Sequence, residues 1–329
     1  MVDQALDKVK RMALCMQRHS WEQGCLAQAF LESGDERETV LLAMEALLRQ
    51  TDDGRAAMIG TPSAVTDPCS VGEALLFAYH RTGDELFQTS CERLRKWALC
   101  DAPRNERGIV YHIADANEIW ADSFYMLPPF LASVGEYDEA IKQVEGYWDC
   151  LFNDRGGLLF HKWDQDKEDF SRGVLWGEGN GWAIAGMSRI IAMLPETHQK
   201  EKESLIEKTK TLIFHSLQYI RQDYFFHDIV NDSSTCVENG FSQLLAYGIY
   251  RGVTDGWLDG KTIDMADHIY EAMQQKVDQY GLVQDVCSAK SGFVTPGPNA
   301  EGQAFFILMC AAREKYRMAC RNPHGTPRD

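Results

Sequence analysis

The sequence predicts an all-α chain folded as an (α/α)6 toroid, a closed ring of six helical hairpins. Three observations predict it. Apolar residues recur at three- and four-residue spacing, one turn pattern repeats along the chain, and acidic or aromatic segments stand ahead of every repeat. Stretches such as "VLLAMEALLRQ" and "LIEKTKTLIFHSLQYI" show the helical spacing, and strand signals are scarce. With 45% apolar and 25% charged residues the composition is that of a globular protein.

The turns come first. "AQAFLESGDE" ends a helix at Gly34, "LLFAYHRTGDE" at Gly83 and "PFLASVGEYDE" at Gly135, each with a glycine C-cap and an acid opening the next helix. "LAYGIYRGVTDG" repeats the pattern near Gly252, while "SRIIAMLPETH" near Leu194 and "ILMCAAREKY" near Arg313 fill the remaining places without glycine. The intervals run from about 49 to about 61 residues, so the chain reads as one domain, 1–329, rather than two.

Upstream of the turns stand "RHSWEQG", "AVTDPCSVGEA", "EIWADSFYM", "LWGEGNGWAIA", "CVENGFSQLLA" and "NAEGQAFF". Each precedes its turn by about one helix length, which places all six at the opposite end of their helices. In a closed ring Trp21, Asp67, Asp122, Trp182, Asn239 and Glu301 would crowd one mouth. A linear solenoid would also accommodate six hairpins, but it has no need of acids and tryptophans at the same end of each. Pro128 and Pro129 start or kink the helix after Asp122.

Bulk properties narrow the function. The net charge of −16 repels nucleic acid, while a local basic site for an anionic substrate remains compatible with it. No apolar run reaches the roughly 18 residues of a membrane span. The charged first twenty residues lack the apolar core of a secretion signal, so a cytoplasmic location is expected. The ten cysteines form no C-x-x-C pair, and together with the methionines they read as core. No metal and no cofactor is expected.

Acids beside aromatics suit a carbohydrate site, because indole faces stack on sugar C–H groups and carboxylates handle protons and hydroxyls. Asp67, in "TDP", is either a helix cap or a site acid. Asp122, between Trp120 and Phe124-Tyr125, is expected to be desolvated with a raised pKa, as a general acid requires. "GLLFHKWDQD" offers His161, Trp163 and Asp164, and "IVYHIADA" offers Tyr111 and His112. In "LWGEGNGWAIAG" the glycines would bring backbone close to a sugar, with Trp176, Glu178 and Trp182 beside them. Glu238 and Glu301 precede helices, where an acid favours the dipole.

The order of these segments resembles the unsaturated glucuronyl and rhamnogalacturonyl hydrolases, the glycoside hydrolase 88/105 group. The resemblance runs from about Trp21 to Phe306 and is carried by "TDPCSVGEALLFAYHRTGDE", "IWADSFYMLPPFLA", "FHKWD", "WGEGNGW" and "PNAEGQAFF". It implies an (α/α)6 fold and removal of a 4,5-unsaturated uronic acid from the non-reducing end of lyase-generated oligosaccharides. The reaction it implies is hydration of a vinyl ether, with Asp122 as acid/base and Asp67 in support. It also implies that Trp21, Glu22, Tyr111, His112, His161, Trp182 and Asn299 line the sugar subsite, with no metal or organic cofactor. Glu178 departs from the resemblance, because family members commonly carry an arginine there that can pair with the uronate. Either another group holds that carboxylate, or Glu178 points away, or the sugar is not the usual uronate. Two other functions fit the residues: a carboxylate-pair glycosidase acting on a neutral or saturated sugar through Asp122, Asp67 and Glu178, and a non-catalytic helical-repeat binding protein.

Overall fold

The computed structural model describes residues 2–287 and 296–321. Outer and inner helices alternate along the chain. They are α1 (Val2–Met16), α2 (Ser20–Ser33), α3 (Glu36–Leu48), α4 (Gly72–Thr82), α5 (Glu85–Lys96), α6 (Ser123–Met126), α7 (Pro128–Ser133), α8 (Tyr137–Leu151), α9 (Gly177–Met193), α10 (Gln199–Ser216), α11 (Gly240–Thr254), α12 (Ile263–Gln274) and α13 (Ala300–Arg321). The inner ring consists of α2, α4, the broken α6–α7 rod, α9, α11 and α13, and it closes where α13 packs on α2. The solenoid alternative is thereby excluded, and the architecture is the expected (α/α)6 toroid.

Local chemistry explains the turns. Gly34, Gly83 and Gly135 have φ of 77°, 71° and 83°, a left-handed conformation that costs glycine little. Two of the expected turns stand elsewhere. Gly252 lies inside α11, and the left-handed residue is Gly256 at φ 78°. No turn occurs near Arg313, because α13 runs unbroken to Arg321. The sixth outer helix is instead α1, the first helix of the chain, packed against α13. The ring is thus completed by the two ends of the described chain. The helix after Asp122 breaks at Leu127 before Pro128, as a proline at the first helical position requires.

Large side chains from the inner helices fill the ring axis. Trp182 of α9 packs its ring 4.8 Å from Tyr125 of α6 and 4.7 Å from Phe305 of α13. Burying each such side chain is worth about 1.5–3 kcal/mol. The glycines of "LWGEGNGWAIAG" serve this packing. A Cβ on Gly177 or Gly181 would press on Phe241 or Leu244, and one on Gly186 would meet the backbone oxygen of Phe124 at 2.2 Å.

Short strands sit above the helices. They are β1 (Glu118–Trp120), β2 (Phe152–Asn153), β3 (Leu158–Leu159), β4 (Lys162–Asp164), β5 (Asp169–Arg172), β6 (Phe226–His227) and β7 (Val237–Glu238). The sheet β1-β4-β5 is antiparallel, pairing Trp120 with Lys162 and Lys162 with Arg172. Its register shifts between Lys162 and Trp163, a bulge that re-aims side chains at the rim of the ring. Among the described residues no helix is long and apolar enough to cross a membrane. The cysteines are not uniformly core: Cys15, Cys100 and Cys320 are exposed, as is Met318.

Candidate active site

At the mouth of the ring lies a cavity of about 340 Å³, within the range of small-ligand sites. Inner helices and the rim sheet build it together. Asp67, Asp122, His112, His161, Trp21, Trp176, Glu178 and Trp182 all line it, so most of the expected site converges. Thr61, Ile113, Trp120, Met126, Lys162 and Glu301 complete the lining.

Each aspartate faces a histidine. His161 Nε2 lies 3.5 Å from Asp122 Oδ2, and His112 Nε2 lies 3.4 Å from Asp67 Oδ1. Neither acid makes a helix cap: Asp67 opens a 3-10 turn and Asp122 precedes α6, and no side-chain capping bond forms at either start. The histidines are fixed from behind. Arg172 Nη1 donates to His161 Nδ1 at 2.5 Å, which leaves the Nε2 proton directed at Asp122. Thr66 and Ser123 hydroxyls stand 2.8 and 3.0 Å from His112 Nδ1. Trp176 packs 4.1 Å from the His161 ring, with its indole N–H donating to Asp228 at 3.0 Å. Arg172 reaches the same Asp228 at 3.5 Å.

The charge states differ from expectation. Burial disfavours ionisation of Asp122, but His161, His112 and Lys162 outweigh it and hold the carboxyl down to about 2. Desolvation acting alone would raise the pKa, as the sequence predicts, and these three partners reverse the sign. Asp67 has no such compensation, and burial followed by the charges of Asp122 and Glu301 drives its pKa well up. Burial lowers both histidines to about 4, so they are neutral rings at pH 7.

A second group of acids gathers around Glu178. Burial, then Glu301 and Glu238, push Glu178 well above the carboxylate range. Glu301 and Glu238 rise to about 8, again mainly through burial. Glu301 accepts the Trp21 indole N–H, whereas Glu238 caps α11 by accepting from Gly240 and Phe241 backbone N–H groups. Glu178 lines the cavity with a buried Oε2 that accepts no hydrogen bond.

Several expected residues do not join the cavity. Glu22 accepts from the Arg18 and His19 backbone N–H groups, completing the capping box of α2. Asn299 caps α13 by accepting from Gly302, and it shares with Glu22 a neighbouring depression beyond Trp21 and Glu301. Asn239 spends its side chain on Gln284 and Gln243. Tyr111 is buried outside the cavity lining, Trp163 packs edge-on against Phe170, and Asp164 pairs with Lys167 at 2.5 Å. Trp182 is only 1% exposed, so it is a floor rather than a broad stacking face. The sequence does not single out Lys162, Arg172 and Asp228, and it marks Trp120 only as a neighbour of Asp122. An acid inside the apolar run "YFFHDIV" was the available signal for Asp228, since burying an acid there demands a partner.

This fold and site define the class. The model of Glycosyl Hydrolase Family 88 matches residues 2–318, and the chain belongs to that family. It is 27% identical over 186 residues to the unsaturated rhamnogalacturonyl hydrolase YesR of Bacillus subtilis (strain 168), a match covering 53% of this chain and 52% of that protein. It is 28% identical over 176 residues to an unsaturated 3S-rhamnoglycuronyl hydrolase of Alteromonas sp. (strain LOR), covering 50% and 42% respectively. The chain therefore aligns with about half the length of these relatives, or less. Among solved structures, one described as a possible member of the GH105 family, from Salmonella enterica, superposes with a TM-score of 0.83. That match has 17% identity and covers 96% of this chain and 93% of the other, which speaks for the fold.

Proposed function

We propose that the cavity removes a 4,5-unsaturated uronic acid from the end of an oligosaccharide by hydrating its vinyl ether. The observation that carries this reading is the pair of histidine-backed aspartates, one ionised and one protonated, inside an indole-lined cavity. A uronate entering the cavity adds negative charge beside Asp122 and raises its affinity for a proton. Protonated Asp122 gives its proton to C4. Water adds its oxygen to C5 and returns a proton to the Asp122 carboxylate. The C5 hemiketal opens as the C5–O5 bond breaks, giving a ketone at C5 and leaving O5 as a hydroxyl on C1. That C1 hemiacetal collapses to an aldehyde as its bond to the aglycone oxygen breaks, and the aglycone takes the hydroxyl proton and departs as an alcohol. His161 keeps Asp122 oriented, and Asp67 with His112 supports the sugar and the proton balance.

Incubation with lyase-generated oligosaccharides should bleach the vinyl-ether absorbance. Asp122→Asn should slow that loss by about 10²- to 10⁴-fold with the fold intact. Retention of the full rate by this variant would remove Asp122 from the chemistry.

One observation favours a second reading. Neutral Glu178 and ionised Asp122 share the cavity, which is the charge division of an ordinary acid-and-nucleophile glycosidase. Cleavage of saturated aryl glycosides, with none of lyase products, would select it.

A further inference from the structure

The departure at Glu178 poses a definite question: with a neutral carboxyl where a cation was expected, what receives the sugar's carboxylate? Glu178 does not point away, because it lines the cavity. Arg172 is already engaged, bonding Asp228 on one side and His161 on the other. Lys162 differs from both. It lines the cavity and holds its ammonium 3.2 Å from the centroid of the Trp120 ring. Among the described residues no carboxylate comes within ion-pairing distance of it.

The platform under Lys162 is rigid. The Trp120 indole N–H donates to Glu118 at 2.7 Å, and its ring stacks 4.3 Å from His112. Neighbours on a strand ordinarily face opposite ways, yet His161 and Lys162 both reach the cavity, and the register shift beside Lys162 accompanies this. A half-buried cation resting on an indole, acted on by the charges of Asp122 and Glu118 but ion-paired with neither, is a seat for an anion.

We propose that Lys162 receives the carboxylate of the bound sugar, supplying from the rim sheet the charge that position 178 lacks. This rests on the uronate reading above. It gives the cavity a polarity, with the sugar's acid group toward β4 and its hydroxyls toward the neutral carboxyls of Glu178 and Glu301. It also links binding to chemistry, since a carboxylate on Lys162 cancels one of the charges acting on Asp122.

The test uses the Asp122→Asn protein, in which ligand binding is separated from turnover. Calorimetric titration compares an unsaturated uronyl disaccharide with its methyl ester. Lys162→Met should weaken the free acid about 10- to 100-fold and the ester less than about threefold, while Lys162→Arg retains most of the preference. Adding Glu178→Arg to Lys162→Met should restore part of the free-acid affinity. Equal losses for acid and ester, no loss for either, or no binding of the free acid would each overturn the role of Lys162. Failure of the parent enzyme to bleach any lyase product, with the acid preference intact, would instead overturn the proposed reaction and leave Lys162 as an anion seat.

Discussion

Glu178 is buried and Glu32 half-buried, on inner helices at opposite ends of the ring, and their surroundings could hardly differ more. Glu32, near the end of α2, bonds Arg251, Gln28 and the Tyr247 hydroxyl. Burial resists its ionisation, but Arg251 and Arg189 win and its pKa is lowered. Glu178 opens α9 with three other acids acting on it besides Glu301 and no arginine among the causes of its shift. The closed end neutralises buried charge in pairs, while the open end leaves it for something else to complete. Two carboxylates of one chain thus adopt opposite protonation states without any difference in chemistry of their own.

Breaking the closed end should give the largest effect. Arg251→Met leaves the half-buried Glu32 without its bonded cation and should cost about 1.5–3 kcal/mol in urea unfolding. Glu178→Gln should cost nothing and raise stability at neutral pH in the same measurement, because the glutamate is neutral folded but ionised unfolded whereas Gln is neutral in both.

The pH dependence sharpens the contrast. Glu238 and Glu301 bind protons more tightly folded than unfolded, so their contribution is complete below about 4.5 and is lost as pH rises through about 8. His112 and His161 act in the opposite sense, but only between about 4 and 6.5. Above pH 6.5 the acids dominate, and near pH 9 the thiols of Cys25, Cys69 and Cys91, whose pKa burial raises, add a loss in the same direction. The melting temperature should therefore fall by roughly 3–6 °C between neutral pH and pH 9. Glu301→Gln should flatten that slope, and an unchanged slope would remove Glu301 from the account.

The smallest effect concerns the turns. Gly256→Ala forces a left-handed alanine into open space and should cost about 1 kcal/mol. Gly252→Ala, whose Cβ would press on Trp257 and Leu258, should cost more by thermal unfolding. Equal costs would mean that the turn, and not the packing, governs both.

The ring was legible because each turn is local: a glycine and an acid, a few residues apart, suffice to mark it. The choice between Gly252 and Gly256 was not, since both sit in "YRGVTDG" and only the packing of Trp257 separates them. Reading forward along the chain also could not pair α13 with a helix that had already been passed. At the site, Asp67, Asp122, His112 and His161 were legible as residue types in aromatic company. The protonation of Asp122 was not, because it depends on rings and an ammonium brought by segments ten and forty residues away. Glu22 carried an overlooked local signal, standing three residues after His19 as a capping box requires.

Closure through α1, α2 and α13 has a consequence for how the protein is made. The Trp21–Glu301 bond joins residues 280 positions apart, and it lies in the cavity wall itself. As the chain emerges from a ribosome, five inner helices can meet their neighbours in order, but the cavity lacks one side until α13 arrives. Until then the faces of α2 and α11 that α13 will cover remain open to water. Synthesis therefore delivers a competent pocket only once α13 has been made, and a chaperone that shields those two helices would act at the stage of greatest exposure.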